Sequence, residues 1–323
     1  MKVSIIRKDC EKKQMAYNLI VITGPTASGK TSLAVKLASV LGTEIISADS
    51  RQVYRGLDIG TGKDLWEYNI DGKIIPYHLI DIVEPQENFD LFCFYKSFFA
   101  IFKEFLKRGK IPILAGGTPL YIHSVIANYK LLEVPLNNKL RKELSSYDMN
   151  ELEHYLKSLQ PKIHNITDLE DRERLLRAIE IADFKLKNPD AKSAGEHIEI
   201  KPLIIGTLWE RSILKKRITK RLMDRLNEGM VEEVKSLNKN GLSWEKLEYF
   251  GLEYKYVSLY LQEKISYEEM VETLNIRIHQ FSKKQSGWFR KFEKEGFSIN
   301  WAEEADFREA YNIFTTHNPL HIL

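Results

Sequence analysis

The sequence predicts an α/β chain in which a parallel sheet flanked by helices is interrupted by a helical insertion domain. Two observations carry that expectation. Short apolar, β-branched runs at 19–23, 44–48 and 110–115 alternate with segments of helical period, an order that implies right-handed crossovers and parallel strands. From about Asn128 the character changes: residues 131–200 are mostly helical and charged, with no clear buried strand, before an apolar run returns at 201–207. The expected organisation is an extension (1–17), a core (18–128 and 201–323) and a helical insertion (129–200).

The first run leads directly into a motif. Leu19 to Thr31 reads L-I-V-I-T-G-P-T-A-S-G-K-T, and Gly24, Pro25, Thr26, Ala27, Ser28, Gly29, Lys30 and Thr31 match G-x-x-x-x-G-K-[ST]. In such a loop consecutive backbone N–H groups converge on one spot, the next helix adds its positive end, and a lysine reaches in. It is built for a diphosphate or triphosphate, and it makes the core P-loop NTPase-like. The helix that follows carries Leu33, Ala34, Leu37, Ala38 and Leu41 on one face and ends at Gly42.

The second strand delivers Asp49-Ser50-Arg51-Gln52-Val53-Tyr54 at its C-terminal end, the edge where open α/β sheets bind ligands. Asp49 reads equally as a ligand-facing carboxylate or as an N-cap with Gln52 as its capping-box partner. Residues 56–63 are a glycine-rich, polar and potentially mobile loop, and 74–83 is strand-like. The helix over 91–107 has an aromatic face of Phe94, Phe98, Phe102 and Phe105 suited to the core. The strand at 110–115 runs into Gly116-Gly117-Thr118, which allows close backbone approach to a ligand with a hydroxyl beside it, or a tight turn with a capping threonine.

Within the insertion, Arg174, Arg177 and Glu180 share a helix face whose default reading is solvated and ion-paired. The helix over 211–229 places Arg217 and Arg221 at i, i+4, able to form a positive wall against a diphosphate. Lys283, Lys284, Gln285, Trp288, Phe289 and Arg290 combine cations with aromatics, as contact with single-stranded nucleic acid requires, although a helix with a buried Trp and an exposed Lys side has the same letters.

Composition bounds the function classes. The 323 residues are 43% hydrophobic, enough for a substantial core. No run approaches a membrane span, and the basic leader lacks the apolar centre of a signal peptide. Cys10 and Cys93 form no bridging framework, and no His or Cys cluster has ligand spacing, so a reducing cytoplasm fits best. The net charge of +3 argues for no partner, but 211–292 holds 17 Lys plus Arg against 11 Asp plus Glu, compatible with a polyanion face. A phosphate loop by itself predicts a kinase or NTPase, which needs a second acidic residue for Mg²⁺. The strand at 111–115 ends without one, leaving Asp49 and Asp81.

Taken together, the motifs resemble the tRNA dimethylallyltransferases, also called tRNA isopentenyltransferases, over nearly the whole chain. The resemblance rests on G-P-T-A-S-G-K-T (24–31), S-A-D-S-R-Q-V-Y-R-G-L-D-I-G-T (47–61) and A-G-G-T-P-L-Y (115–121). It continues in R-L-L-R-A-I-E (174–180), F-G-L-E-Y-K-Y (250–256) and K-K-Q-S-G-W-F-R (283–290). It implies transfer of a dimethylallyl group from dimethylallyl diphosphate to N6 of adenosine 37 in tRNA, with residues 24–31 cradling the donor's diphosphate. Asp49 would be the base, with Thr118 and Arg217 acting on the leaving group and Mg²⁺ near Thr31. Asp49, Ser50, Arg51 and Gln52 would meet the target base, and Arg174, Arg177 and the 283–290 segment would lie near the tRNA. The implied partners are the anticodon stem-loop and dimethylallyl diphosphate, with no membrane and a monomeric enzyme. Two features depart from the family pattern: Lys284 and Gly287 stand where Arg and Thr are common, and Pro119 where Gly is frequent. The alternatives are prenyl transfer to a free adenine nucleotide, a P-loop nucleotide kinase, and a silent RNA-binding protein.

Overall fold

The computed structural model describes residues 17–160, 172–191 and 198–317. In chain order its elements begin with β1 (Leu19–Thr23), α1 (Lys30–Leu41), β2 (Ile45–Ser47), a 3-10 turn (Leu65–Tyr68), β3 (Asn69–Ile70), β4 (Lys73–Ile74) and β5 (Tyr77–His78). There follow α2 (Leu91–Arg108), β6 (Ile113–Ala115), α3 (Pro119–Ile126), α4 (Asn138–Glu143), α5 (Met149–Leu159) and α6 (Arg172–Lys187). The chain continues through β7 (Pro202–Leu208), α7 (Arg211–Asn227), α8 (Met230–Lys239), α9 (Trp244–Tyr249), α10 (Leu252–Leu261), α11 (Tyr267–Lys294), β8 (Ile299–Glu303) and α12 (Phe307–His317). Of the expected N-terminal extension, only Tyr17 lies within the described residues.

The chain divides into two compact units, Met1–Asn128 with Glu199–Leu323, and Tyr129–Ile198. In the larger unit a parallel six-stranded sheet has the order β5-β2-β6-β1-β7-β8. The central strand β1 is buried at all its positions, which is why its sequence is continuously apolar instead of alternating. The aromatic face of α2 is core as expected, with Phe94, Phe98, Phe102 and Phe105 fully buried. Asp90 caps α2 by accepting from the Cys93 amide at 2.9 Å.

Two local expectations give way. Of the strand-like run 74–83, only β5 joins the main sheet, because Leu79 and Asp81 adopt left-handed backbone (φ 63° and 53°) and turn the chain away. Conversely β8, absent from the sequence reading, pairs with β7 at the sheet edge; a five-residue strand carrying Asn300 and Glu303 has too weak a pattern to stand out beside long helices.

The smaller unit packs α4, α5 and α6 around Leu140, Leu144, Leu152, Leu156, Leu175, Leu176, Ile179 and Ala182. Glu180 is not on a solvated face. Its carboxylate is buried and receives Arg141 Nε at 2.7 Å, the Asn137 amide at 3.0 Å and Arg177 Nη1 at 3.1 Å. The helix register turns it towards α4, where three donors repay its desolvation.

Candidate active site

The loop after β1 is held by four side chains from distant parts of the sequence. Thr26 donates its amide to Gln285 Oε1 at 2.8 Å, and the Ala27 carbonyl accepts from Arg217 Nε at 2.9 Å. The Ser28 carbonyl accepts from Trp209 Nε1 at 2.9 Å, while Ser28 Oγ meets Thr207 Oγ1 at 2.5 Å. Lys30 Nζ donates to the Pro25 carbonyl at 2.7 Å, folding the lysine back over the loop. Burial, seconded by the nearby Arg221, draws the Lys30 pKa down to about 7, against the opposing pull of Asp49 and Glu67. The charges of Arg221, Asp49 and Glu67 thus all reach Lys30 at this end of the sheet. Arg217 stacks its guanidinium 4.0 Å over Trp209, which fixes it against the loop.

Asp49 uses its two carboxylate oxygens differently. Oδ1 accepts from the amides of Arg51 (2.8 Å) and Gln52 (3.3 Å), a local turn of the kind aspartate favours. Among the described residues no hydrogen bond engages Oδ2, which lies 3.6 Å from the point where a side chain on Gly117 would begin. The capping-box partner does not form: Gln52 sends its Nε2 to the Gly62 carbonyl at 3.0 Å.

Gly116 permits the approach that places Asp49 beside this loop. A methyl group there would lie 2.3 Å from the Ala48 carbonyl oxygen, so the ends of β2 and β6 meet only because position 116 has no side chain. Thr118 occupies the N-cap position of α3 without capping it. Its Oγ1 accepts instead from the Ser50 amide at 3.0 Å and donates to Ser50 Oγ at 3.3 Å, which ties the loop after β6 to the one after β2.

The 56–63 loop is tied down where the sequence suggested mobility. Glu233 on α8 collects the amides of Asp58 (3.0 Å), Ile59 (2.7 Å) and Gly60 (3.1 Å), and Tyr254 donates its hydroxyl to the same carboxylate. Lys63, almost wholly buried, binds the Tyr54 carbonyl, Asp58 and Asp81. Asp81 is therefore the partner of a buried lysine.

The basic segment on α11 splits by face. Lys283, Lys284 and Arg290 are exposed, Trp288 is half-buried, and Gln285 and Phe289 point inward. Gln285, 2% exposed, also donates Nε2 to the Gly117 carbonyl at 2.8 Å. In the smaller unit Arg174 is exposed, whereas Arg177 also donates Nη2 to the Val134 carbonyl at 2.8 Å. Trp209, Glu233 and Lys63 were missed as supporting residues. A Trp directly after the strand at 202–208 was the available signal for the first, while the others become meaningful only through distant partners.

Among the described residues no group of three or more His, Cys, Asp or Glu is arranged to hold a metal ion. Thr31 is a single half-buried hydroxyl at the start of α1. That donor set fits a cation bound chiefly through phosphate oxygens and water, the usual habit of Mg²⁺, and does not fit a protein-made cage. No helix among the described residues is long and apolar enough to cross a membrane.

Comparison with known proteins gives this geometry its context. The IPP transferase family model matches residues 52–292 and the isopentenyl transferase model residues 17–70. tRNA dimethylallyltransferase 1 of Syntrophus aciditrophicus is 53% identical over 293 residues, covering 91% of this chain and 96% of that protein. tRNA dimethylallyltransferase 1 of Parabacteroides distasonis is 49% identical over 289 residues, covering 89% and 93%. Among solved structures, the full-length tRNA isopentenylpyrophosphate transferase of Bacillus halodurans has a TM-score of 0.64 at 31% identity, covering 93% of this chain and 94% of that one. A eukaryotic dimethylallyltransferase acting on tRNA shares the fold, with a TM-score of 0.72 at 24% identity over 93% of this chain and 80% of that one. With relatives about half identical along nine-tenths of its length and a family model spanning most of it, the chain belongs to the tRNA dimethylallyltransferase (IPP transferase) family.

Proposed function

We propose that the protein transfers the dimethylallyl group of dimethylallyl diphosphate to N6 of adenosine 37 in tRNA, as a monomeric cytoplasmic enzyme. The observation that carries the reading is the division of labour at Asp49, whose Oδ1 holds the local turn while Oδ2 is left available beside Gly117. The adenine amine attacks C1 of the donor, the C1–O bond breaks, and the electron pair leaves with the diphosphate. As the C–N bond forms, positive charge builds on N6, and the N6 proton passes to the Asp49 carboxylate, which assists a weakly nucleophilic exocyclic amine.

The departing diphosphate gathers negative charge, and its stabilisation is an electrostatic task. Residues 24–31 would cradle it with backbone amides, Lys30 would supply an ammonium, and Arg217 and Thr118 would complete the enclosure. Thr31 would hold Mg²⁺, which when bound supplies further charge neutralisation to the diphosphate. A base stacked in the anticodon loop cannot reach a recessed carboxylate, so the adenosine is turned out towards residues 49–52. In this reading residues 129–200 grip the anticodon stem-loop with Arg174 and Arg177, and the exposed Lys283, Lys284 and Arg290 of α11 contact RNA with Trp288 beside them. The buried Gln285 and Phe289 support that surface from beneath.

The test is incubation with dimethylallyl diphosphate and Mg²⁺, offering either unmodified tRNA or AMP. The expected result is the mass gain of one dimethylallyl group on tRNA alone. Gain on AMP alone would transfer the assignment to a free-nucleotide prenyltransferase, and ATP turnover without prenyl transfer to a kinase.

A further inference from the structure

Beyond the motif at 49–52, the structure builds a second feature on the same loop. Arg51 lies with its guanidinium carbon 4.9 Å from the centre of the Tyr249 ring, and Lys246 places Nζ 5.4 Å from the same ring. Tyr249 closes α9 and is 46% exposed, while its neighbour Phe250 is buried edge-on against Tyr54 at 4.8 Å. The exposed ring therefore stands on a fixed base.

The two cations have no carboxylate to balance them. Among the described residues neither Arg51 nor Lys246 forms an ion pair. Lys246 Nζ donates only to neutral oxygens, the Glu87 carbonyl at 3.0 Å and Asn88 Oδ1 at 3.0 Å. The nearby acids are engaged elsewhere: Glu87 with the Glu84 amide at 2.7 Å, Glu248 with Gln262 at 3.5 Å, and Glu245 with the Ser243 side chain and its own backbone amide. Burial first, and then the charge of Arg51, lowers the Lys246 pKa, with no acid opposing them. Two uncompensated like charges flanking an exposed aromatic ring are unfavourable in the free protein and suit a ligand with both a π-face and a negative charge.

We propose that Tyr249, Arg51 and Lys246 form a nucleotide platform for one of the two residues flanking the modified adenosine, with its base stacked on the Tyr249–Arg51 pair and its phosphate held by Arg51 and Lys246. The inference rests on the tRNA reading above. The location follows from the chain itself, because the Arg51 amide is bonded to Asp49 Oδ1. A nucleotide on this platform therefore sits next to the one presented to Asp49. When the adenosine leaves the stack, its neighbour loses a stacking face, and the platform replaces it.

The test uses the full chain and a synthetic anticodon stem-loop RNA, together with two versions carrying an abasic residue on either side of the target adenosine. Tyr249→Ala should weaken binding of the intact RNA about five- to hundredfold, and Tyr249→Phe should retain it. Against one of the abasic RNAs the penalty of Tyr249→Ala should vanish. Lys246→Ala should reduce the slope of log affinity against log salt by about one. Binding of inorganic diphosphate should be the same in all these variants, which separates the platform from the donor site. Unchanged affinity in both Tyr249→Ala and Lys246→Ala, or a Tyr249→Ala penalty that persists in full on both abasic RNAs, would overturn the platform alone. Failure of the unaltered chain to bind the stem-loop or to prenylate it would overturn the tRNA reading and the platform with it.

Discussion

Gln285 accepts the Thr26 amide and donates to the Gly117 carbonyl, each at 2.8 Å, so one buried side chain joins the donor loop to the loop beside the proposed base. A carboxamide offers an acceptor and a donor on one planar group without titrating. Gln285→Ala leaves the part-buried Thr26 N–H and Gly117 C=O unpaired, at about 1–2 kcal/mol each. The expected outcome is a stability loss of about 2–4 kcal/mol in urea unfolding. A turnover loss larger than the loss of folded fraction should accompany it. Gln285→Glu, which keeps the acceptor but loses the donor, should fall between the two.

Asp49→Asn keeps the Oδ1 acceptor that the Arg51 and Gln52 amides use, and removes only the base. Prenyl transfer should fall by about 10²–10⁴-fold with stem-loop affinity preserved. Near-normal turnover measured by product mass would sink the assignment of Asp49.

Donor binding should carry a proton with it. Lys30 has its pKa drawn down to about 7 in the ligand-free protein, and a diphosphate favours its charged form. Above that pH the neutral lysine must gain a proton on binding, so affinity declines as pH rises from about 7. Calorimetry at about pH 8 in buffers of different ionisation enthalpy should show more proton uptake for the native chain than for Lys30→Arg. Equal uptake in the two would remove Lys30 from the linkage.

Glu180 sets an acid limit on the smaller unit. Burial raises its pKa, but the hydrogen bonds from Arg141, Asn137 and Arg177 outweigh burial and hold it below the ordinary carboxylate value. The folded pKa is depressed, so its stabilisation is present above the ordinary carboxylate value of 4.5 and is lost as pH falls through the folded value. Glu180→Gln should flatten that part of the acid unfolding curve while lowering stability at neutral pH, followed by circular dichroism.

Gly62→Ala should disturb the acceptor side from a distance. At φ 61° an added methyl would lie 1.6 Å from Arg225 Nη2 and 2.3 Å from Arg221 Nη2, and the Gly62 carbonyl anchors Gln52. A stability loss of about 1–3 kcal/mol is expected. It should come with a larger drop in kcat/KM for RNA than for the donor; equal drops would argue against the Gln52 link.

The sequence by itself determined the parallel α/β class and the family, because these live in local patterns: apolar runs, a contiguous eight-residue motif and ordered short segments. It also named Asp49, Thr118 and Arg217 as site candidates, with a bland alternative beside Asp49 and Thr118 that local letters could not remove. Only the tertiary structure decided which contacts these side chains make. Asp49 uses one oxygen as a turn acceptor while the other has no hydrogen bond among the described residues, and Thr118 declines its capping role to hold Ser50. Gln285 turns inward as a strut while the adjacent Lys284 faces solvent, and Glu180 proves buried instead of solvated. The Asp49 turn is local, but the other outcomes depend on partners tens to hundreds of residues away. A hydrogen bond to such a partner leaves no periodicity in the sequence, and so becomes legible only once the chain has folded.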